Sequence, residues 1–401
     1  MATSRKNTGE TSATNDSETK EKSNWRKPSN TPFKQQRLRA WHPLFVPRTV
    51  IPTVLLVGII LAPIGGLLIW GSSLVSEINI DYSNCEFTPA QDDTSNSTSL
   101  SFTNISSSAY TYKLSVLDSD THVDPPQYAF LNRTGASDAQ IGMKQQCVVR
   151  FDVPAEIKAP VMLYYKLTNF NQNHRRYVKS VSLDQLLGKK PSDTSLSNDC
   201  KPLDKINNTV IYPCGMIANS MFNDTFSNLT WISGDSDPYL DGTYLWSEKN
   251  IAWPGEAKKY VTTPGYDVSE IVPPPFWHDR FPGGYTSDNL PDLKTDEHFQ
   301  NWMRTAGLPT FSKLWGRNDS TALAPGRYQM TINLNFPVTE YKGTKTLVIS
   351  SAAWMGGKNP FLGWAYVAGS GLLLLLGFVF AVINCFKPRK LGDASKLTFT
   401  R

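Results

Sequence analysis

Histidine and cysteine are scarce in this chain, five of each among 401 residues. His42, His122, His174, His278 and His298 never fall at metal-ligand spacing and no Cys-x-x-Cys occurs, which excludes the usual zinc sites. A phosphate loop is missing as well. Gly343-Thr344-Lys345-Thr346 lacks the Gly-x-x-x-x-Gly-Lys order whose backbone amides cradle phosphate. There is no Asp-Lys-Thr-Gly-Thr segment to carry an aspartyl phosphate, and Asp292-Leu293-Lys294-Thr295 is only a distant echo of one. Gly369-Ser370-Gly371 lies inside an apolar run, useless as a nucleophile elbow. Asp118-Ser119-Asp120 is similar to the metal-binding carboxylates of nucleotide-sugar transferases, yet acidic loops of that kind are ordinary surface. No repeat of fixed period is visible. No catalytic constellation emerges, and the chain reads as something other than an enzyme.

Charge is also absent from two long stretches, Thr49 to Ser76 and Asn359 to Phe386. Each exceeds the roughly 20 residues a helix needs to cross a bilayer. Residues 77–358 between them are polar and aromatic-rich and hold four of the five cysteines. The chain therefore reads as a membrane protein, a helical hairpin presenting one large domain. Residues 1–48 carry ten Lys/Arg against four Asp/Glu, and Lys387, Arg389, Lys390, Lys396 and Arg401 follow the second span. Basic flanks mark the cytoplasmic side, so both termini are expected in the cytosol and the domain on the exoplasmic face. The tails bear +6 and +4 of a net +5, leaving −5 for residues 77–358. The basic character thus belongs to the tails and suits anionic lipid, not nucleic acid. Lying behind a charged tail, the first span is an uncleaved anchor and not a signal peptide.

Cys85, Cys147, Cys200 and Cys214 fall in the outer domain, an even number where oxidation is permitted. Four cysteines allow three pairings and spacing does not choose among them. If neighbours pair, Cys85 with Cys147 closes a loop worth about 4 kcal/mol and Cys200 with Cys214 one worth about 3 kcal/mol. Cys385, at the end of the second span, is either a palmitoylation site or simply a small helix residue. Asn96, Asn104, Asn132, Asn207, Asn223, Asn228 and Asn318 each head an Asn-x-Ser/Thr triplet and are glycosylation candidates. Asn15 heads another in the cytosolic tail, where the match is fortuitous.

Residues 1–32 are rich in Ser, Thr, Asn and Lys, with almost no aliphatic residue, and read as a disordered cytosolic tail. Residues 33–48 form a basic juxtamembrane segment in which Phe33, Leu38, Trp41, Leu44 and Phe45 alternate with Arg37, Arg39 and His42, suited to the membrane surface. Spans at 49–76 and 359–386 bracket the domain at 77–358, and a basic cytosolic tail follows at 387–401. Within the domain Tyr328, Met330, Ile332, Leu334 and Phe336 alternate with polar residues, the period-two signal of a strand. Residues 148–153, 161–167 and 346–349 are shorter strands. Asp296 caps a helix carrying Phe299, Trp302, Met303 and Ala306, ended by Gly307 and Pro309; residues 177–187 form a second helix, closed by Gly188. Short strands between Pro-punctuated loops predict a mainly-β domain, an antiparallel sandwich with helical inserts.

In the first span Gly58, Ala62 and Gly66 recur every fourth residue; Ala365 and Gly369, then Gly377 and Ala381, repeat that spacing in the second. Small residues let helices approach closely, and the first stripe is expected to pack on a partner's helices. Ser370 and Asn384 are nearly the only polar residues in the second span. A two-span channel with a large outer domain would want more polar lining than this. A lumenal glycosyltransferase would rest on Asp118 and Asp120.

Particular stretches carry a resemblance. They are Asn169-Phe170-Asn171-Gln172-Asn173-His174-Arg175-Arg176-Tyr177-Val178; Pro213-Cys214-Gly215-Met216-Ile217-Ala218-Asn219-Ser220-Met221-Phe222-Asn223-Asp224; Trp302-Met303-Arg304-Thr305-Ala306 with Leu308-Pro309-Thr310-Phe311; and Trp354-Met355-Gly356-Gly357-Lys358-Asn359-Pro360-Phe361. With Lys34-Gln35-Gln36-Arg37-Leu38 before the first span, they resemble, in order, the ligand-effect modulator / cell division control protein 50 family. These are the accessory (beta) subunits of type-IV P-type ATPases that flip phospholipids. Asn171 stands where that family's signature has an aromatic residue. The resemblance implies a non-catalytic subunit that binds a ten-span ATPase, permits its exit from the endoplasmic reticulum, and supports inward aminophospholipid transport. It implies cysteines paired in sequence order, an outer sandwich covering the pump's exoplasmic loops, and ATP and magnesium held by the pump alone. The polar run 169–176 has two readings, a direct contact with the partner or a buried network that stabilises a loop, and its density of donors and acceptors favours the network.

Overall fold

A computed structural model describes residues 30–38, 45–91, 100–115, 123–134, 142–233, 242–352 and 356–388. The expectations for Asn15, Trp41, Leu44, Asn96, Asp118, Asp120, Trp354, Met355 and most of both tails lie outside those residues. The chain divides into two compact units, residues 54–376, and Met1–Thr53 with Gly377–Arg401. In the smaller unit a turn is closed by the Gln35 and Arg37 amides, which donate to the Thr31 and Pro32 carbonyls (3.0 and 2.7 Å).

Helix α1 (Pro47–Ser73) opens on a proline, whose missing N–H costs nothing in a first turn. It ends before residue 76 because the chain enters strand β1 (Glu77–Asp81). There follow β2 (Thr103–Asn104), β3 (Tyr110–Lys113), β4 (Gln127–Asn132), β5 (Gln145–Val153) and β6 (Val161–Leu167). Next come helices α2 (Arg175–Lys179), α3 (Leu183–Leu186) and α4 (Asp193–Cys200), strands β7 (Lys205–Ile206) and β8 (Thr209–Ile211), and α5 (Met216–Asn219). Strands β9 (Thr225–Phe226), β10 (Leu229–Ser233), β11 (Thr243–Tyr244) and β12 (Ile271–Val272) precede α6 (Glu297–Met303). The chain closes with β13 (Phe311–Asn318), β14 (Gly326–Asn333), β15 (Lys345–Ser351) and α7 (Pro360–Phe386). At 27 residues, α1 and α7 each reach about 40 Å, more than a bilayer's hydrocarbon core. Leu56, Leu67 and Trp70 of α1 and Phe361, Trp364 and Leu375 of α7 are exposed, the reverse of helices in a soluble core.

One sheet runs β13-β6-β15-β1-β3; a second runs β11-β10-β14-β5-β4-β2, with β9 also on β14. Both are antiparallel throughout. The main core draws on the inward faces of both: Ile78, Ile80, Leu163, Tyr165, Leu347 and Ile349 from the first, Val149, Phe151, Tyr328, Met330 and Ile332 from the second. The alternation read at residues 328–332 is this inward row. A third sheet, β12-β8-β7, belongs to an insert with its own cluster around Tyr212, Trp277, Phe281 and Phe299.

Asp296 caps α6, its Oδ1 accepting the Phe299 N–H at 2.9 Å. Residues 177–187, expected as one helix, are two. Ser182 caps α3 by accepting the Gln185 N–H (3.4 Å), and the Ser180 hydroxyl leaves α2 to donate to the Cys200 carbonyl (3.1 Å). Serines that bond neighbouring backbone break a helix there.

Candidate functional site

Helices α1 and α7 pack on each other along a glycine seam. A Cβ on Gly58 would lie 2.9 Å from Leu374 Cγ, one on Gly65 2.7 Å from Val367 Cγ2, and one on Gly363 2.6 Å from Ile69 Cγ1. The Ser370 hydroxyl donates to the Gly58 carbonyl at 2.7 Å. Gly58, expected to face a partner's helix, is therefore occupied by α7, because the hairpin itself needs that close approach. Gly66 has open space around it, and Ala62 is half-buried. At the sandwich end of the spans, Lys358 Nζ donates to the Val75 and Lys113 carbonyls (2.8 and 3.2 Å), and the Asn359 N–H to Ser72 Oγ (3.0 Å). The spans and the sandwich are thus joined by hydrogen bonds as well as by chain.

Three of the recognised stretches meet at one aromatic node. Phe170 lies 5.7 Å from Trp302, 5.6 Å from Tyr341 and 6.0 Å from Phe336, centroid to centroid. Trp302 Nε1 donates to the Ile217 carbonyl (2.8 Å), and Phe222 stacks on Tyr165 at 3.8 Å. Aromatic pairs of this kind contribute roughly 0.5–1.5 kcal/mol each beyond burial. In the polar run, Asn169 donates to the Tyr341 carbonyl, Gln172 accepts the Ala306 N–H (2.8 Å), and Asn173 donates to the Gly307 carbonyl (3.0 Å). Arg175 and Arg176 are exposed, so the run is half network and half surface. Gly215 has φ +101°, and a Cβ there would meet the Ser180 carbonyl oxygen at 2.1 Å; only glycine fits.

Cys85 is bonded to Cys147, tying the turn that follows β1 to β5, and Cys200 to Cys214, closing the loop between α4 and α5. Cys385 is free and exposed. Of the sequon asparagines, Asn104, Asn132, Asn207, Asn223 and Asn228 are exposed. Asn318 is half-buried and its Nδ2, the atom a glycan would take, donates to the Leu245 carbonyl at 3.0 Å.

Sequence reasoning missed a buried ion pair. Asp224 Oδ2 accepts from Lys345 Nζ (2.8 Å) and the Tyr82 hydroxyl (3.1 Å), while its Oδ1 accepts the Asn335 and Phe336 amides (2.6 and 2.7 Å). Burial, then the Asp224 carboxylate, pushes the Tyr82 phenol up and keeps it neutral. Lys313 is a second buried lysine. Its Nζ donates to the Asn301 and Arg304 carbonyls (2.7 and 2.6 Å), closing the end of α6, and burial lowers its pKa to about 8.

A cavity of about 680 Å³ is lined by Phe226, Trp277 and Trp315 together with Asn223 and Glu248. Hydrogen bonding from His298 (3.2 Å) holds the Glu248 carboxyl below its usual range. Among the described residues no group of His, Cys, Asp or Glu is arranged to hold a metal ion.

Fold and site together define a disulfide-bonded sandwich carried on a hairpin of two apolar helices. Residues 68–390 match the family described as LEM3 (ligand-effect modulator 3) / CDC50, and the chain belongs to that family. The phospholipid-transporting ATPase accessory subunit CRF1 of Saccharomyces cerevisiae is 40% identical over 376 residues, 93% of this chain and 89% of that protein. The accessory subunit CDC50 of Chaetomium thermophilum is 36% identical over 382 residues, 94% and 91% of the two chains. Cell cycle control protein 50A of Mus musculus is 34% identical over 390 residues, 93% of each. With its two outward-apolar helices, the chain is an integral membrane protein.

Proposed function

We propose that this chain is the non-catalytic accessory subunit of a type-IV P-type ATPase that moves phospholipids toward the cytosolic leaflet. The observation that carries the reading is similarity over more than nine-tenths of the chain to proteins named as accessory subunits of phospholipid-transporting ATPases. The physical design suits a partner's scaffold: a disulfide-tied sandwich is hydrogen-bonded to the span ends of a hairpin whose internal seam is already filled. ATP and magnesium belong to the pump. The basic tails support cytosolic termini and a sandwich on the exoplasmic side, where its sequons would meet the glycosylation machinery. The subunit escorts its partner out of the endoplasmic reticulum toward Golgi, endosome or plasma membrane. A module of this kind alters pump turnover only by binding some pump conformations more tightly than others.

Affinity capture of the tagged chain in mild detergent tests this. A P-type ATPase should co-purify in about equal amount, and fluorescent aminophospholipid uptake should fall when the chain is depleted. Recovery of the chain alone, with uptake unchanged on depletion, would refute it.

A further inference from the structure

The cavity of about 680 Å³ lies where the sandwich meets the insert, with Phe226 and Trp315 from the first and Phe276, Trp277 and Arg280 from the second. We infer that it is a carbohydrate site, seating the N-acetylglucosamine pair at the root of a glycan carried by Asn223. The inference rests on the exoplasmic placement of the sandwich in the accessory-subunit reading, since only there does a sequon meet its transferase.

The lining holds both things that a sugar ring needs. Phe276 is exposed yet fixed, its N–H donating to Asn219 Oδ1 (2.9 Å) while the neighbouring Trp277 Nε1 donates to the Ala218 carbonyl (3.0 Å). A flat apolar face held open in this way suits the C–H face of a pyranose, and its rigidity lowers the ordering cost. Polar groups with open valences complete the set. Trp315 is buried, and its indole N–H, which normally has an acceptor in such a place, has none among the described residues. His298 uses one ring nitrogen on Glu248 (3.2 Å), and Arg280 approaches Asp296 only at 3.7 Å. Hydroxyls and acetamides donate and accept alike, so they answer these donors and acceptors together. Charge argues against other ligands. Asp224, Glu248, Asp279, Asp296 and Glu297 line the cavity against Arg280 alone, which repels phosphate, sulfate and carboxylate. Among the described residues no group of them is arranged to hold a metal ion. A neutral polyol is the class that remains.

Asn223 supplies that polyol. It lines the cavity, is exposed, and heads Asn223-Asp224-Thr225. Its side-chain amide forms no hydrogen bond among the described residues, whereas Asn104, Asn132, Asn228 and Asn318 all use theirs. Its backbone is fixed, the carbonyl accepting from Asn335 Nδ2 (3.1 Å) and the next residue, Asp224, being paired with Lys345 (2.8 Å). On modification Asn223 Nδ2 displaces a polyprenyl diphosphate from the anomeric carbon of the oligosaccharide. A C–N bond forms as the C–O bond to diphosphate breaks, and the amide gives up one proton. A sugar rooted on a lining residue binds intramolecularly, so modest contacts suffice to seat it. Once seated, it bridges the cores of the sandwich and the insert.

The test uses the full-length chain purified in detergent without its ATPase, so that no partner covers the site, from cells that make oligomannose glycans. Endoglycosidase H cuts between the N-acetylglucosamine rings, and peptide mass spectrometry reads the product at Asn223. Cleavage should be at least about tenfold slower in the native chain than after denaturation, because the cut requires local opening. Phe276→Ala/Arg280→Ala keeps the sequon but removes the platform, and should bring native cleavage close to the denatured rate, with the melting temperature reporting that the variant folds. Phe276→Ala alone, at an exposed position, should already raise the rate. Equal rates in native and denatured wild type, or protection that persists in the folded variants, would overturn the seat. A bare Asn223 beside glycans on other sequons would also overturn it and leave the accessory-subunit reading standing, whereas a chain bare at every sequon overturns the exoplasmic placement on which both rest.

Discussion

Replacing Asp224 with alanine removes the carboxylate from a site where it answers four donors at once. Both partners of the pair are sealed off, with side-chain exposures of 3% for Lys345 and 0% for Asp224. In the variant the Lys345 ammonium keeps only the Phe336 carbonyl (2.8 Å), and the Asn335 and Phe336 amides and the Tyr82 hydroxyl lose their acceptor. Stranding one partner of a buried pair costs about 3–5 kcal/mol. For a domain of this size that corresponds to a melting temperature lower by about 10 °C. Lys345→Met should do less harm, because the carboxylate it leaves behind still accepts from two amides and a hydroxyl while the methionine fills the space. The double variant should cost less than the two single changes together, since the stranded charge is then gone. The assay is the fraction of chain remaining monodisperse after heating in detergent, read by size-exclusion fluorescence. Alanine at 224 preserves the Asn-x-Thr triplet headed by Asn223, so glycosylation does not confound the comparison. A wild-type melting temperature for Asp224→Ala, or a larger loss for Lys345→Met, would refute the reasoning.

Lys313 should give the protein an unusual alkaline profile. Its pKa is about 8 in the fold and 10.5 unfolded, so in that window the unfolded chain holds more protons and stability rises with pH, by about 3 kcal/mol in all. Tyrosines held neutral by burial, such as Tyr177 at about 12, reverse the trend above pH 10. Melting temperatures should climb from pH 8 to pH 10 in the wild type and stay level in Lys313→Met; parallel profiles would disprove this origin. In the hairpin, Gly65→Leu should lower the melting temperature through overpacking of about 1–3 kcal/mol against Val367, whereas Gly66→Leu should leave it unchanged. Equal effects of the two on melting temperature would show that the seam is misplaced.

Local chemistry was legible in the residues. Alternation marks 161–167 as a strand with those bounds, and an aspartate three residues before Phe299 marks the start of α6. The insert around Tyr212 and Trp277 was not legible, because its strands are two or three residues long and its order comes from packed rings with no period. The buried lysines left a signal that went unread. Lys345 shares the inward face of β15 with Leu347 and Ile349, and Lys313 the buried row of β13 with Trp315. A charge on a strand's apolar face demands a partner, although nothing local says that the partner of Lys345 lies 121 positions away.

The helix seam shows why a periodicity seen in one chain segment cannot choose its own face. Gly58, Ala62 and Gly66 form a four-residue stripe, yet Gly58 and Gly65 also form a seven-residue one, continued by the buried Ser72. Both are small enough for close approach. The choice is made on α7, where Val367 and Leu374 are likewise seven apart and run in the opposite direction against Gly65 and Gly58. Seven-residue repeats on both helices bring the same faces together turn after turn, the geometry of a left-handed crossing. Once that register is taken, Gly66 falls outside it, and the surface left for a partner is the one the hairpin does not use.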